Sequence, residues 1–130
     1  MTEISYLILS IGLLLGMIVV QSLASLRHYG LVPLAGARDD LKAPTFFLER
    51  AKRANQNMLE ALALFVPLLL IALHTDQLGT LTLTGSALFF WGRLAYAPLY
   101  WFGVPWARTL AWAVALVGIL MIFSNLLPLI

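Results

Sequence analysis

Glu49, Arg50, Arg53, Asn57 and Glu60 lead directly into an uncharged run from Ala61 to Leu73. At about 100° per residue, Arg50, Arg53, Asn57, Glu60 and Leu64 fall within about 80° of one another on a helix, while Lys52 and Leu59 point the opposite way. Guanidinium, amide and carboxylate groups in one stripe can satisfy one another or grip a charged ligand. Ionisable groups at the mouth of an apolar segment are costly to keep there, so a functional site is the default reading. The competing reading is a solvated helix end with snorkelling side chains. Such ends scatter their charges, and this one aligns them.

A second polar face repeats the spacing. Arg93, Tyr96 and Tyr100 stand at i, i+3 and i+7, as Arg50, Arg53 and Asn57 do, which suggests a shared cleft. Tyrosines at this depth also belong to interfacial aromatic belts, where Trp91, Trp101, Trp106 and Tyr29 are expected. Beside Arg93 on one face they become ligand donors, because a phenol bonds a polar ligand while its ring excludes water. Arg108, just past Pro105, is expected near the level of Arg93, and Arg27 at the same rim. Arg27, Arg50, Arg53, Arg93 and Arg108 against Glu60 make an excess of guanidinium groups. Burying several cations without partners is costly, so the excess calls for an anionic ligand.

The elements that must carry these groups follow from composition. With 62% hydrophobic and 11% charged residues in 130, the chain lacks the polar surface of a soluble domain and reads as an integral membrane protein. Ile4 to Leu26 carries no charge and, at about 1.5 Å per residue, can cross a hydrocarbon core of about 30 Å. Glu3, where a signal peptide would be basic, and the length of the run argue for a retained span. Further helices are expected at about 45–74, with Pro44 or Thr45 opening it and Glu49 facing its dipole, at 78–100, interrupted by Arg93 and Pro98, and at 105–127. The reading is an all-α, four-span bundle forming one domain over residues 1–130.

Basic residues cluster between spans one and two and between spans three and four, and the short connection at Asp76 has none. By the positive-inside rule, the first and third connections face the cytoplasm and both termini face away, which puts the polar stripe at the cytoplasmic mouth. There is no cysteine, so thiolate chemistry must come from a ligand and thiolate metal sites are excluded. The net charge of +2 sits at membrane borders, which suits anionic lipid headgroups and gives nucleic-acid binding little support.

Other candidates carry less. His28 and His74 are expected at opposite membrane faces and cannot share a metal within one chain. Asp39 and Asp40 suit a turn or cap better than an acid/base pair. Gly12 and Gly16 form a GxxxG pattern that permits close helix packing, within or between subunits. No Ser/His/Asp triad, phosphate-cradling glycine loop or internal repeat is evident.

The stretch Glu49-Arg50-Ala51-Lys52-Arg53-Ala54-Asn55-Gln56-Asn57-Met58-Leu59-Glu60 resembles the signature E-R-x-x-R-A-x-x-N-x-x-E of the membrane-associated proteins in eicosanoid and glutathione metabolism (MAPEG). Arg93, Tyr96 and Tyr100 fit that family's R-x-x-[YH]-x-x-x-Y pattern, and Gly36-Ala37-Arg38-Asp39-Asp40 is similar to the first loop of bacterial members. The resemblance implies a left-handed four-helix bundle assembled as a homotrimer, with glutathione between subunits near the cytoplasmic side. It implies that Arg53, Asn57 and Glu60 hold the charged ends of glutathione, that Arg50 supports them, and that Arg93, Tyr96 and Tyr100 complete the site. Arg108 matches the catalytic arginine if one residue of gap follows Gly103. Better-known members often place an aromatic residue and then a proline after the final glutamate. Here Ala61 and Ala63 stand at those positions, and the proline is Pro67.

The expected activity is that of a glutathione transferase, with peroxidase activity as a variant, acting on hydrophobic electrophiles delivered by the bilayer. Arg108, a permanent cation, would favour the thiolate of glutathione. A non-catalytic binding or scaffold protein of the same fold is the alternative. A small transporter that uses Glu60 as a coupling carboxylate is disfavoured by the surrounding arginines. The bacterial inner membrane is the expected location.

Overall fold

The computed structural model describes every residue from Met1 to Ile130. It is all-helical: α1 (Glu3–Tyr29), α2 (Leu31–Ala35), α3 (Phe46–His74), α4 (Thr80–Trp101) and α5 (Pro105–Leu126), followed by a 3-10 turn over Leu127–Leu129. The short α2 lies in the first connection and adds a helix to the four expected from hydropathy.

The helix ends have local causes. The backbone N–H of Ser5 donates to Thr2 Oγ1 at the start of α1, and that of Leu48 donates to Thr45 Oγ1 at 3.1 Å at the start of α3. Gly30, at φ 83°, supplies the left-handed backbone that stops α1. Pro105 opens α5, where a missing N–H costs nothing. Glu49 sits in the first turn of α3, where a negative charge is favoured.

α1, α3 and the stretch Pro105–Leu129 are long and apolar enough to cross a membrane. α4, at 22 residues, is also long enough at about 1.5 Å per residue, but its Thr82, Thr84, Ser86 and Arg93 lower its hydropathy. Its place in the bundle explains this, because α4 packs against α1, α3 and α5 and turns Thr82, Ser86 and Arg93 inward. Thr82 Oγ1 donates to Glu3 Oε1 at 2.8 Å, and Ser86 Oγ donates to the Thr82 carbonyl at 2.8 Å. Polar groups buried among helices are retained when they find such partners.

α4 and α5 form the closest helix pair. A Cβ placed on Gly92 would lie 2.8 Å from Ala115 N and 2.9 Å from Ala111 O, and one on Gly85 would lie 2.7 Å from Gly118 O. Only glycine lets these backbones meet. Gly12 and Gly16, in contrast, have nothing within 4 Å of where a Cβ would sit, so the GxxxG pattern of α1 does no packing within the chain.

Between the helices, Phe65 of α3 stacks on Phe89 of α4 with ring centroids 4.1 Å apart, surrounded by Leu62, Leu69, Ile119 and Ile122. Asn55 Nδ2 donates to Gln21 Oε1, which ties α3 to α1. Large apolar side chains such as Leu15, Leu23, Leu64 and Leu120 remain exposed on the outer faces, as an apolar solvent requires.

Candidate functional site

Arg93 is the centre of the site. It is 1% exposed, and its guanidinium reaches from α4 to α3, where Nη1 donates to Asn57 Oδ1 at 2.7 Å and Nε points to Met58 Sδ at 3.3 Å. Its Cζ lies 4.2 Å from the ring centroid of Tyr96, one turn along α4. None of these partners is a carboxylate, and Nη2 is buried with no partner at all. A guanidinium held by an amide, a thioether and a phenol ring is left without a counter-charge among its direct partners.

The cationic face continues toward the α4–α5 turn. The rings of Tyr96 and Tyr100 are 5.4 Å apart, and the Arg108 guanidinium lies 4.7 Å from the Tyr100 ring centroid. Arg93, Tyr96, Tyr100 and Arg108 therefore form one continuous cation–aromatic ladder. The gap of one residue between the family pattern and Arg108 does not take it away from this ladder, because the turn at Phe102–Val104 returns α5 beside α4.

The α3 stripe divides. Asn57 turns inward to Arg93, while Arg53 and Glu60 are exposed on the outer side of the chain. Glu60 accepts only from Gln56 Nε2, at 3.3 Å, and Arg53 Nε donates to the Glu49 carbonyl at 3.4 Å. Arg50 packs under the α4–α5 turn: a Cβ on Gly103 would lie 2.9 Å from Arg50 Cζ, and Gly103 has φ 70°. Arg50 thus meets the segment that leads into Arg108.

Arg27 is not brought to this group. It lines a separate hollow between the end of α1 and the start of α3, with Leu23, His28, Thr45 and Phe47. The His28 ring bonds the Ala43 carbonyl at 2.8 Å and tethers the first connection there. Asp39 and Asp40 lie in a turn, and no cluster of His, Asp and Glu could hold a metal.

Beside the ladder is a hollow of about 220 Å³ lined from α3, α4 and α5 by Asn57, Glu60 and Arg93 and by apolar residues, Ala61, Leu64 and Trp112 among them. Met58 and the α5 side of this hollow are not marked by charge or motif. Trp112, Ala115, Leu116 and Ile119 repeat at i, i+3, i+4 and i+7, a face visible in the sequence but indistinguishable there from a lipid-facing one.

Fold and site together define an all-helical membrane protein with an uncompensated cationic, tyrosine-lined centre among its helices. The chain belongs to the MAPEG family, whose pattern it matches over residues 4–127, and is thereby a membrane protein of eicosanoid and glutathione metabolism. No match to it was found among curated proteins or among solved structures.

Proposed function

We propose that the protein is a glutathione transferase, with reduction of organic peroxides as a variant of the same chemistry, acting on hydrophobic electrophiles taken from the bilayer. The observation that carries this is Arg93, a buried cation with no carboxylate partner, in line with Tyr96, Tyr100 and Arg108. An anionic ligand is what such a site lacks. Glutathione offers two carboxylates for arginines, one ammonium for Glu60 and a thiol for chemistry.

In this reading Arg53, Asn57 and Glu60 hold the charged ends of glutathione, Arg93 fixes Asn57 and Tyr96 in position, and Tyr100 contributes its hydroxyl. Arg50 supports the site through Gly103. Arg108 acts electrostatically on sulfur. A free thiol titrates near 8.5, and a permanent cation within about 4 Å moves the balance toward thiolate. The thiolate then bonds to the electrophilic carbon while the leaving group departs with its electron pair.

The outward placement of Arg53, Glu60 and Arg27 supports a homotrimer in which a neighbouring copy closes the site, with its Arg27 as one further cation. The exposed Gly12 and Gly16 leave room for such a neighbour. We place α4 across the bilayer as the fourth span, the first and third connections in the cytoplasm, and the protein in a bacterial inner membrane.

Thermal denaturation with and without glutathione, followed by turnover of a general electrophile, tests the reading. Stabilisation together with conjugation is the expected result. Stabilisation without any conjugation or peroxide reduction would leave a binding or scaffold protein of the same fold, and no stabilisation would remove glutathione.

A further inference from the structure

Met58 stands on the buried stripe of α3, one turn from each of Ala54 and Leu62, and packs with them and Phe65 in the core. On that placement alone it is a flexible apolar filler. Its sulfur, though, meets a charged donor: Sδ lies 3.3 Å from Arg93 Nε, with Met58 0% exposed and Arg93 1% exposed. The other acceptor on the guanidinium is Asn57 Oδ1, 2.7 Å from Nη1, so consecutive residues of α3 hold two donors of one planar group. Two contacts on different nitrogens fix the plane of a guanidinium, where one leaves it free to turn. A thioether is a weak acceptor, and here the weakness matters. A carboxylate in its place would form a charge-assisted bond and draw the guanidinium from Asn57. A hydrocarbon would leave Nε buried without an acceptor. Sulfur satisfies Nε and leaves Asn57 the stronger hold.

We infer that Met58 is a positioning residue for the glutathione site: its thioether accepts from Arg93 Nε and thereby keeps Arg93 Nη1 on Asn57. The inference rests on the glutathione reading. With Oδ1 committed to Arg93, the Asn57 amide has its Nδ2 donors left for a carboxylate or peptide carbonyl of the ligand. A guanidinium that turns away from Asn57 frees the amide to flip, and a flipped amide presents oxygen to a ligand oxygen. Met58 touches neither the ligand nor its sulfur in this arrangement. Its effect therefore belongs to the binding of glutathione, while ionisation of the thiol, assigned to Arg108, is untouched. In steady-state kinetics that is a change in KM for glutathione without a change in kcat.

Met58→Leu and Met58→Gln separate this role from core packing. Leucine keeps a similar apolar volume and loses the acceptor, whereas glutamine keeps a neutral acceptor and brings an amide into an apolar core. Were Met58 only a filler, leucine would be the better replacement in every measurement. The inference predicts opposite orders. In thermal unfolding without glutathione, the leucine variant should be the more stable. In kinetics, Met58→Leu should raise KM for glutathione about three- to tenfold at parental kcat, while Met58→Gln stays within about twofold of the parent. The pH at which kcat reaches its plateau should be the same in parent and variants. The glutathione concentration giving half-maximal thermal stabilisation should follow KM, which reads the inference even in a protein that binds without turnover. A leucine variant with parental KM and half-stabilising concentration, or a glutamine variant impaired as far as the leucine one, would overturn the inference while leaving glutathione binding by the parent intact. So would a leucine variant that loses kcat and shifts its plateau, because that is general loosening of the site. Should the glutamine variant fail to fold, Met58→Leu decides alone, by whether KM rises while kcat and its pH dependence hold. A parent that glutathione does not stabilise would overturn the glutathione reading itself, and the positioning role with it.

Discussion

Arg93 of α4 donates to Asn57 of α3 across 2.7 Å, and that bond gives a buried guanidinium its only oxygen acceptor within the chain. The pair joins the two polar faces, the stripe that opens α3 and the tyrosine face of α4, into one site. It also sets apart two roles that a single substitution at either end should separate.

Asn57→Leu leaves the guanidinium buried with only Met58 and the Tyr96 ring beside it, and is expected to lower stability by roughly 1–3 kcal/mol. Arg93→Met removes the cation and leaves no charge stranded, so its unfolding temperature should stay close to that of the parent. Both should lose stabilisation by glutathione. Thermal unfolding in detergent, with and without glutathione, measures both effects together.

Arg108→Ala should separate binding from ionisation. Its guanidinium faces the Tyr100 ring, and no carboxylate holds it there. A cation beside sulfur lowers the thiol's pKa, so the parent's kcat should reach its plateau below the free thiol's value of about 8.5. Without Arg108 the rising limb should shift to higher pH, toward that value. The pH dependence of kcat, with glutathione saturating, checks the sign of the shift.

Gly103→Ala should act on the same step from a distance. The residue has φ 70°, where a side chain is strained, and the new methyl would meet the Arg50 guanidinium. The turn that aims Arg108 would loosen, and kcat should fall more than the affinity for glutathione. Arg50→Ala, which removes the side chain packed against that turn, should give the same split between kcat and binding.

The stripe from Arg50 to Glu60 and the Arg93, Tyr96, Tyr100 face were legible in the sequence because polar groups within apolar helices stand out at a period of 3.6. Met58 was not legible as a partner of Arg93, since a thioether looks apolar until a donor is seen beside it. Nor was the division of the stripe: periodicity sets residues on one face, but the rotation of α3 against α4 decides that Asn57 turns inward to Arg93 and that Glu60 stays exposed on the wall of the hollow. Arg27 shares the rim by sequence position, and the packing of α1 sends it to another hollow. The glycines that matter for helix packing, Gly85, Gly92 and Gly118, follow no local motif because each serves a contact with another helix. The GxxxG pair of α1 was the visible motif and has no partner in the chain.

That contrast gives a further prediction. Gly92→Ala puts a methyl against the backbone of Ala111 and Ala115 and should cost about 1–3 kcal/mol by overpacking. Gly12→Ala and Gly16→Ala meet nothing within the chain and should leave its intrinsic packing unchanged. Thermal unfolding measures the first. Mass in detergent reads the second pair: if the proposed trimer forms in the parent, its loss in these variants would locate the neighbouring copy on α1.

The most direct measurement is the ultraviolet absorbance of the glutathione thiolate when glutathione is titrated into purified protein at neutral pH. The account predicts a saturable rise, competed away by glutathione sulfonate and absent in Arg108→Ala although that variant still binds glutathione. A protein that binds glutathione with no thiolate signal, or an Arg108→Ala variant with the full signal, would contradict it.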